Sequence, residues 1–425
     1  MLAHVVSAAA ADAQASSETK DLGPLLASGL LELQLTRAVL SIAGADAPGR
    51  AGREAQNVVE RWLLAAVQPA AAAAAAEAAP VPAAAPAPAP VQPAAGIYLR
   101  IDLTASAPAN KKMVAELGEL ANIDKQLHRA HSARGRGGHA KHGGRNTHSG
   151  HVKHANVAAP DVFAAIVAAV EAARPAIAAA FAGRGAPAVA HCGGTLRCAM
   201  RAPAAPGAAA GTATSTPTIE FEQPIDAATE TLVRIGSCAA AAAVAVRYAA
   251  LAPAGQQWGL PRAHVDFLYR EWGVRTEAFA SPLNSRLLGL PGARFCSLFL
   301  DTDAVFGSAG DFFACDALPG AWVVNPPFVE ALLTAAAHKC LAALAGPSPP
   351  PAVFFVGPDW RDAEFHRLLS ASALCAAKLT LEPGNYYYES PDGARVPTRA
   401  RSAYFALAQI GSKDFAAALQ NITDV

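Results

Sequence analysis

The stretch that decides the fold is Ala321-Trp322-Val323-Val324-Asn325-Pro326-Pro327-Phe328. Four consecutive apolar residues, two of them β-branched, predict a short strand buried on both faces. The prolines end it, because each lacks an N–H and Pro327 keeps Pro326 extended. Working outward, similar short apolar runs recur at Thr276 to Ala280, Phe295 to Leu300, Phe312 to Cys315, Val353 to Val356, Leu379 to Leu381 and Ala403 to Ala408. Helical periodicity lies between and around them, over Arg262 to Trp272, Glu330 to Ala345 and Arg361 to Lys378. That alternation predicts an α/β sheet, mostly parallel, with helices on its faces. Ligands of such sheets bind beyond the carboxyl ends of the strands. At those ends stand Ser281-Pro282-Leu283-Asn284, Asp301-Thr302-Asp303, Asp316, Asn325 and Pro358-Asp359-Trp360.

The composition differs upstream. Leucines and valines at helical spacing from Asp21 to Val67 predict two packed helices broken near Gly44 to Gly52. Residues 69–96 are almost wholly Ala and Pro, which predicts a semi-rigid linker. A strand is expected over Ile97 to Leu103, and helices over Lys111 to Leu127, Pro160 to Phe181 and Ile225 to Leu251. Residues 125–157 hold histidines, glycines and basic residues with little to bury, and are expected to be disordered, with a second low-complexity break at 203–217. The domain reading is a helical segment over 1–68, the linker, a helical accessory domain over 97–250 and a sheet domain over 251–425.

With 34 Lys+Arg against 34 Asp+Glu, nucleic-acid binding would have to come from local patches rather than a global field. The His-rich tract lacks the regular spacing of a metal site, and weak attraction to phosphates is its better use. Seven cysteines without a C-x-x-C pair are expected to be reduced and intracellular. No run of leucine-like residues reaches the length of a membrane span, so no membrane partner is expected.

The Asn325 tetrapeptide suits one chemistry well. An adenine amine is a poor nucleophile because its lone pair is delocalised into the ring. Accepting hydrogen bonds from both N–H groups turns that lone pair toward an incoming methyl group. The Asn325 amide oxygen is one acceptor, and the Pro326 carbonyl, held extended by Pro327, is the other. Phe328 offers a face on which the base stacks. An Asp would accept equally well, so the motif favours adenine over cytosine without compelling it. The methyl donor would be S-adenosylmethionine, with Asp301 or Asp303 on its ribose hydroxyls and the Ser281 to Asn284 loop around its methionine end. No G-x-G-x-x-G element is present, which weighs against a nicotinamide enzyme. Each residue also has a plainer reading. Asn-Pro-Pro can simply start a helix. Asp301-Thr302-Asp303 can be a turn or cap, and Trp360 can be core packing. Of Tyr386-Tyr387-Tyr388, at most two share a strand face.

Phe279 to Asn284, Asp301-Thr302-Asp303 through Phe306-Gly307-Ser308, and Asn325 to Phe328 with Glu330 together resemble the phosphorylated-CTD-interacting factor family of cap-specific adenosine N6-methyltransferases. Pro358-Asp359-Trp360-Arg361 and Tyr388-Glu389-Ser390 match less strictly, and the resemblance runs from about Ala250 to Ile410. It implies an S-adenosylmethionine-dependent methyltransferase-like, Rossmann-like α/β domain preceded by a largely helical domain. Also implied are the 2′-O-methyladenosine beside the mRNA cap as substrate and a nuclear location. Asn325, Pro326, Pro327 and Phe328 would surround the target base. Ser281, Pro282, Asn284, Asp301, Asp303, Glu330 and Trp360 are the candidate cofactor contacts, and Arg361, Tyr386 and Arg247 the candidate substrate contacts besides Phe328. The alternatives are methylation of adenine in other RNA or in DNA, and a catalytically inactive RNA-end-binding protein. The family's WW module is not evident, since the one N-terminal tryptophan, Trp62, sits on a helical pattern. Binding of a polymerase tail is therefore not expected.

Overall fold

A computed structural model of the chain describes residues 22–46, 50–67, 97, 101, 103, 109–120, 159–182, 187–192, 194–201, 218–251, 257–398, 400–409 and 415–423. The linker 69–96, the His-rich tract 125–157 and the break 203–217 lie outside the described residues. The N-terminal part begins with α1 (Gly23–Ile42) and α2 (Arg50–Val67), followed by a helical segment over 109–120 and α3 (Ala159–Phe181). Strands β1 (Ala188–Cys192), β2 (Thr195–Arg201) and β3 (Thr218–Pro224) form an antiparallel sheet, and α4 (Ala227–Ile235) and α5 (Cys238–Leu251) complete this part.

Small residues allow α1 and α5 to pack closely. A Cβ added at Gly29 would lie 3.0 Å from Val246 Cγ1, and Ala240 to Ala243 of α5 are all buried. Alanine here lets two backbones approach, which a longer side chain would forbid. Trp62 of α2 is 2% exposed and donates its ring N–H to Asn110 at 2.8 Å. Helix α1 and the stretch Asp161–Ala180 are long and apolar enough to cross a membrane by length and composition; 61% of the most apolar window of α1 and 17% of that of Asp161–Ala180 are buried inside the protein.

The larger sheet is built from α6 (Arg262–Glu271), β4 (Val274–Glu277), β5 (Arg294–Phe295), the short helix α7 (Leu300–Asp303), β6 (Ala321–Val324), α8 (Glu330–Ala345), β7 (Val353–Pro358), α9 (Glu364–Ala371) and β8 (Cys375–Leu381). A hairpin of β9 (Tyr387–Glu389) and β10 (Arg395–Pro397), then β11 (Ser402–Leu407) and α10 (Phe415–Thr423), complete it. Its six strands run β5-β4-β6-β7-β11-β8, with β5, β4, β6 and β7 mutually parallel and β11 antiparallel to both neighbours. Successive β6 residues enter opposite cores, as a strand covered on both faces requires. Ala321 and Val323 join the core with Val265, Leu268 and Tyr404, while Trp322 and Val324 join Leu333, Ala337 and Phe365.

After β4 the chain adds β5 on one side and then crosses to β6 on the other. The reversal opens a crevice between the carboxyl ends of β4 and β6, where open α/β sheets bind their ligands. Beyond β5 the sheet extends by one rudimentary strand. Phe295 bridges Ser308 in parallel, the Ala309 N–H donates to Phe295 O at 2.8 Å, and the Ser297 N–H donates to Gly310 O at 2.8 Å.

Strand β6 and helix α8 match the sequence reading residue for residue, whereas other segments differ. Phe312 to Cys315, expected as a strand, holds a 3₁₀ turn at Phe312–Ala314, so Asp316 follows no strand. Three neighbouring aromatic rings at Phe279, Phe313 and Trp322 bury Phe312 there, and its apolar character reflects packing rather than pairing. The helix expected over Arg361 to Lys378 ends at Ala371, and β8 follows. Ile225 to Leu251 divides into α4 and α5 at Gly236. Of the strand expected over Ile97 to Leu103, the described residues are not in a strand, and Ile97 and Ile101 are buried in the helical core. The accessory part also holds the β1-β2-β3 sheet, which was not expected.

Candidate active site

A cavity of about 960 Å³ opens at the crevice between β4 and β6. Asn325 to Phe328 form its β6 side. The Asn325 Oδ1 atom is buried there and has no hydrogen-bond partner in the structure. A buried acceptor left unsatisfied costs about 1–3 kcal/mol, and such an atom in a cavity points to a donor brought in by a ligand. The Pro327 carbonyl is already engaged, accepting the Val329 N–H at 2.7 Å. Phe328 is 36% exposed, with Tyr388 and Trp360 edge-on to its ring at centroid distances of 6.0 and 6.4 Å. Such edge-on contacts fix Phe328 while leaving it available for a flat ligand.

The β4 side is polar. The Asn284 Oδ1 accepts the Ser281 N–H at 2.7 Å, and the Ser281 hydroxyl donates to Gln257 Oε1 at 2.5 Å. Ser281, Asn284 and Gln257 line the cavity; Pro282 is buried beside them and does not. From the β5 side come Ser297 and Leu298, then Asp311, whose Oδ1 accepts the Phe313 N–H at 3.0 Å. Among the described lining residues Asp311 is the one carboxylate. The opposite wall is helical: Arg53, Gln56, Asn57 and Arg61 share one face of α2, and Tyr248 and Leu251 come from α5.

Several residues singled out in the sequence are placed elsewhere. Asp301 pairs with Arg247 at 3.1 Å, with the two side chains 6% and 0% exposed, and Arg247 also lies over the Phe299 ring at 4.5 Å. Asp303 accepts the Tyr248 hydroxyl at 2.6 Å and the Thr302 hydroxyl at 2.9 Å. Burial raises its carboxyl to about 6, against the lowering pull of these hydrogen bonds and of Arg247. Neither aspartate lines the cavity, because after Phe299 the chain turns into α7, beneath α5, and presents both carboxylates to the helical part. Arg247 is thus a buried partner of Asp301 rather than a cavity residue.

Glu330 is exposed in the first turn of α8 and Arg361 is exposed beside Asp359 at 3.2 Å; both stand off the cavity. Tyr386 is buried with its hydroxyl 3.1 Å from that of Tyr404, and Tyr388 takes the cavity position instead. The structure therefore brings together Asn325 to Phe328, Ser281, Asn284 and Trp360, and leaves out Pro282, Asp301, Asp303, Glu330, Arg361, Tyr386 and Arg247. Sequence reasoning missed Gln257, Trp258, Asp311 and the α2 face. Gln257 and Trp258 had a readable signal, a polar-aromatic pair immediately before the composition changes at Gly259.

Residues 237–391 match the family described as Phosphorylated CTD interacting factor 1 WW domain. Here they run from α5 into the β9-β10 hairpin and include Asn325 to Phe328. Two relatives carry the name mRNA (2'-O-methyladenosine-N(6)-)-methyltransferase. The one from Homo sapiens is 39% identical over 109 residues, and the one from Mus musculus 36% identical over 108. Each alignment covers 25% of this chain and 15% of the relative's own length.

Proposed function

We propose, from the membership of residues 237–391 in the phosphorylated-CTD-interacting factor family, that this chain methylates N6 of the 2′-O-methyladenosine beside the cap of mRNA. The observation that carries the reading is the buried, unpartnered Oδ1 of Asn325, a residue that lines the crevice. It needs an N–H donor, and an exocyclic amine supplies one. The relatives' names supply the substrate class. The six-stranded sheet, with its crevice at the β4-β6 reversal, is compatible with a methyltransferase-like fold.

S-adenosylmethionine fits this cavity as the donor and supplies an electrophilic methyl group. Ser281, Asn284, Gln257 and Ser297 on the β4-β5 side match its polar groups. Asn325 Oδ1 and the Pro326 carbonyl accept the two amine N–H groups and so turn the nitrogen lone pair toward the donor side. Phe328, with Trp360 and Tyr388 behind it, holds the plane of the base. Residues of α2 and α5 form the helical wall of the crevice. Arg53 and Arg61 on α2 and Arg401 before β11 bring guanidinium groups to the cleft that phosphates could engage, Arg61 and Arg401 each being paired with a glutamate, Glu116 and Glu382, at 2.9 Å.

The test is incubation of the full chain with S-adenosylmethionine and capped RNA beginning with 2′-O-methyladenosine, followed by mass spectrometry of the nucleosides. N6-methylation of the capped RNA above that of uncapped RNA or DNA is expected. Asn325→Ala is expected to lower it by about 10²-fold or more while calorimetry shows donor binding intact. Donor binding without methylation of any substrate would overturn the reading, as would equal turnover by the Asn325→Ala protein.

A further inference from the structure

Asp359 is the first residue after β7, and its side chain is 1% exposed although it does not line the cavity. Its carboxylate is the centre of a charged cluster. The Oδ1 atom lies 2.9 Å from His366 Nε2 of α9 and 3.4 Å from Lys378 Nζ of β8. Lys378 Nζ in turn lies 2.8 Å from the same imidazole nitrogen. The Oδ2 atom accepts the Arg361 Nε–H at 3.2 Å, and the Asp359 backbone N–H donates to Arg401 O at 2.9 Å. Burial opposes the charge, but hydrogen bonding to His366 and Arg361 and the nearby Lys378 ammonium outweigh it and hold the carboxyl below its ordinary range.

The residue these contacts surround is Trp360. Asp359 and Arg361 flank it and pair with each other, so their ion pair spans it. The Trp360 N–H donates to Pro358 O at 2.8 Å, and its carbonyl accepts the Ala363 N–H at 2.9 Å. The indole ring is 40% exposed and meets Phe328 of the cleft and Phe365 of α9, each edge-on at 6.4 Å. A ring that open has little packing of its own to fix it, and exposed side chains change rotamer in picoseconds to nanoseconds. Its place therefore depends on the backbone beneath it. The Asp359 carboxylate ties that backbone to α9 and β8 at once.

We infer that Asp359 is a positioning residue for the base site: its buried carboxylate fixes the loop that sets Trp360 behind Phe328, and through those two rings the plane of the bound adenine. The inference rests on the methyltransferase reading of the cleft. It deepens that reading by giving a part to a group that touches neither base nor donor. It also predicts a sign. By charge alone, removing a carboxylate beside a cleft that takes up phosphates tightens RNA binding. Loss of positioning weakens it.

The experiment is fluorescence anisotropy with labelled capped RNA and calorimetry with S-adenosylhomocysteine on the full chain. The variants are Asp359→Ala, Asp359→Asn, Trp360→Ala, and each Asp359 substitution combined with Trp360→Ala. Asp359→Ala is expected to weaken capped-RNA binding by about tenfold while donor affinity stays within about twofold. Asp359→Asn keeps an acceptor for His366 and Lys378 but loses the pair with Arg361. It should therefore fold as the wild type does, which thermal unfolding checks, and weaken RNA binding by about threefold. Neither substitution should add to the loss in the Trp360→Ala background, because a residue acting through the indole has nothing to act on once it is gone. RNA binding that is unchanged or tighter in Asp359→Asn overturns the assignment, as do losses that multiply in the double variants. A parallel drop in donor affinity would mark a general loss of structure and overturn it too. So would wild-type RNA affinity in Trp360→Ala. Failure of the wild type to bind capped RNA at all would instead overturn the capped-RNA reading beneath it.

Discussion

The Tyr248 hydroxyl donates a 2.6 Å hydrogen bond to the Asp303 carboxylate, joining α5 of the helical part to α7 beside the sheet. Tyr248 lines the cavity and Asp303 does not, so the aspartate acts by holding a wall in place. Burial raises its carboxyl from 3.8 to about 6, which means the folded state binds more protons than the unfolded state between those values. Stability should fall as pH rises through that window, by up to about 3 kcal/mol, and then level off above it. Asp303→Asn should lack this contribution. Urea unfolding of both proteins from pH 4 to pH 7 measures it, and a difference between them that does not vary with pH would refute it.

Asp301 stands where ribose contacts are expected in dinucleotide folds, yet its carboxylate is bound to Arg247. If the pair is structural, Arg247→Met leaves a buried charge unpaired and should cost about 3–5 kcal/mol. Adding Asp301→Asn should recover a large part of that loss. Asp301→Asn alone should leave the affinity for S-adenosylhomocysteine within about twofold of wild type. A tenfold drop in that affinity without loss of stability would restore the aspartate as a cofactor contact.

Phe328 is 36% exposed and contributes little to the core. Its truncation should therefore be felt by the substrate rather than the fold. Phe328→Ala is expected to weaken capped-RNA binding by about 1–3 kcal/mol, the range for one stacked base. The melting temperature and donor affinity should be nearly unchanged. Fluorescence anisotropy with labelled capped RNA reads the first effect. Equal RNA affinity in the variant would remove Phe328 from the base site.

What was legible in the sequence follows from what each signal depends on. Strand β6 and the Asn325 motif were readable because an apolar run ended by two prolines leaves the backbone few choices. The side-chain directions of Asp301 and Asp303 were not, since they depend on an α5 that packs against α7 from more than fifty residues upstream. The same holds for the α2 face, which meets the cleft through tertiary packing alone. The β1-β2-β3 sheet was missed, although Leu196, Cys198 and Met200 of β2 are buried and alternate with Thr195, Arg197, Ala199 and Arg201 as in a half-buried strand. The rings of Tyr386 and Tyr388 lie 5.3 Å apart, and which of them met the cavity required the fold.

Gly320 decides where β6 begins and hence where Asn325 ends up. Its φ is +59°, and a Cβ there would fall 2.6 Å from the Gly273 carbonyl oxygen, which accepts the first ladder hydrogen bond from the Ala321 N–H. Gly320→Ala must therefore both strain the backbone and push β6 off β4. The backbone conformation alone is worth about 1–3 kcal/mol, and the contact adds to it. Gly384, at φ +85° with nothing within 4 Å of an added Cβ, is the control that carries the conformational cost without the collision. Urea midpoints should fall further for Gly320→Ala than for Gly384→Ala. Only the former should lower methyl transfer in protein that remains folded, because it shifts the strand from which Asn325 projects. Equal effects at the two glycines would show that the β4-β6 crevice tolerates displacement and that Asn325 is held by something other than this strand.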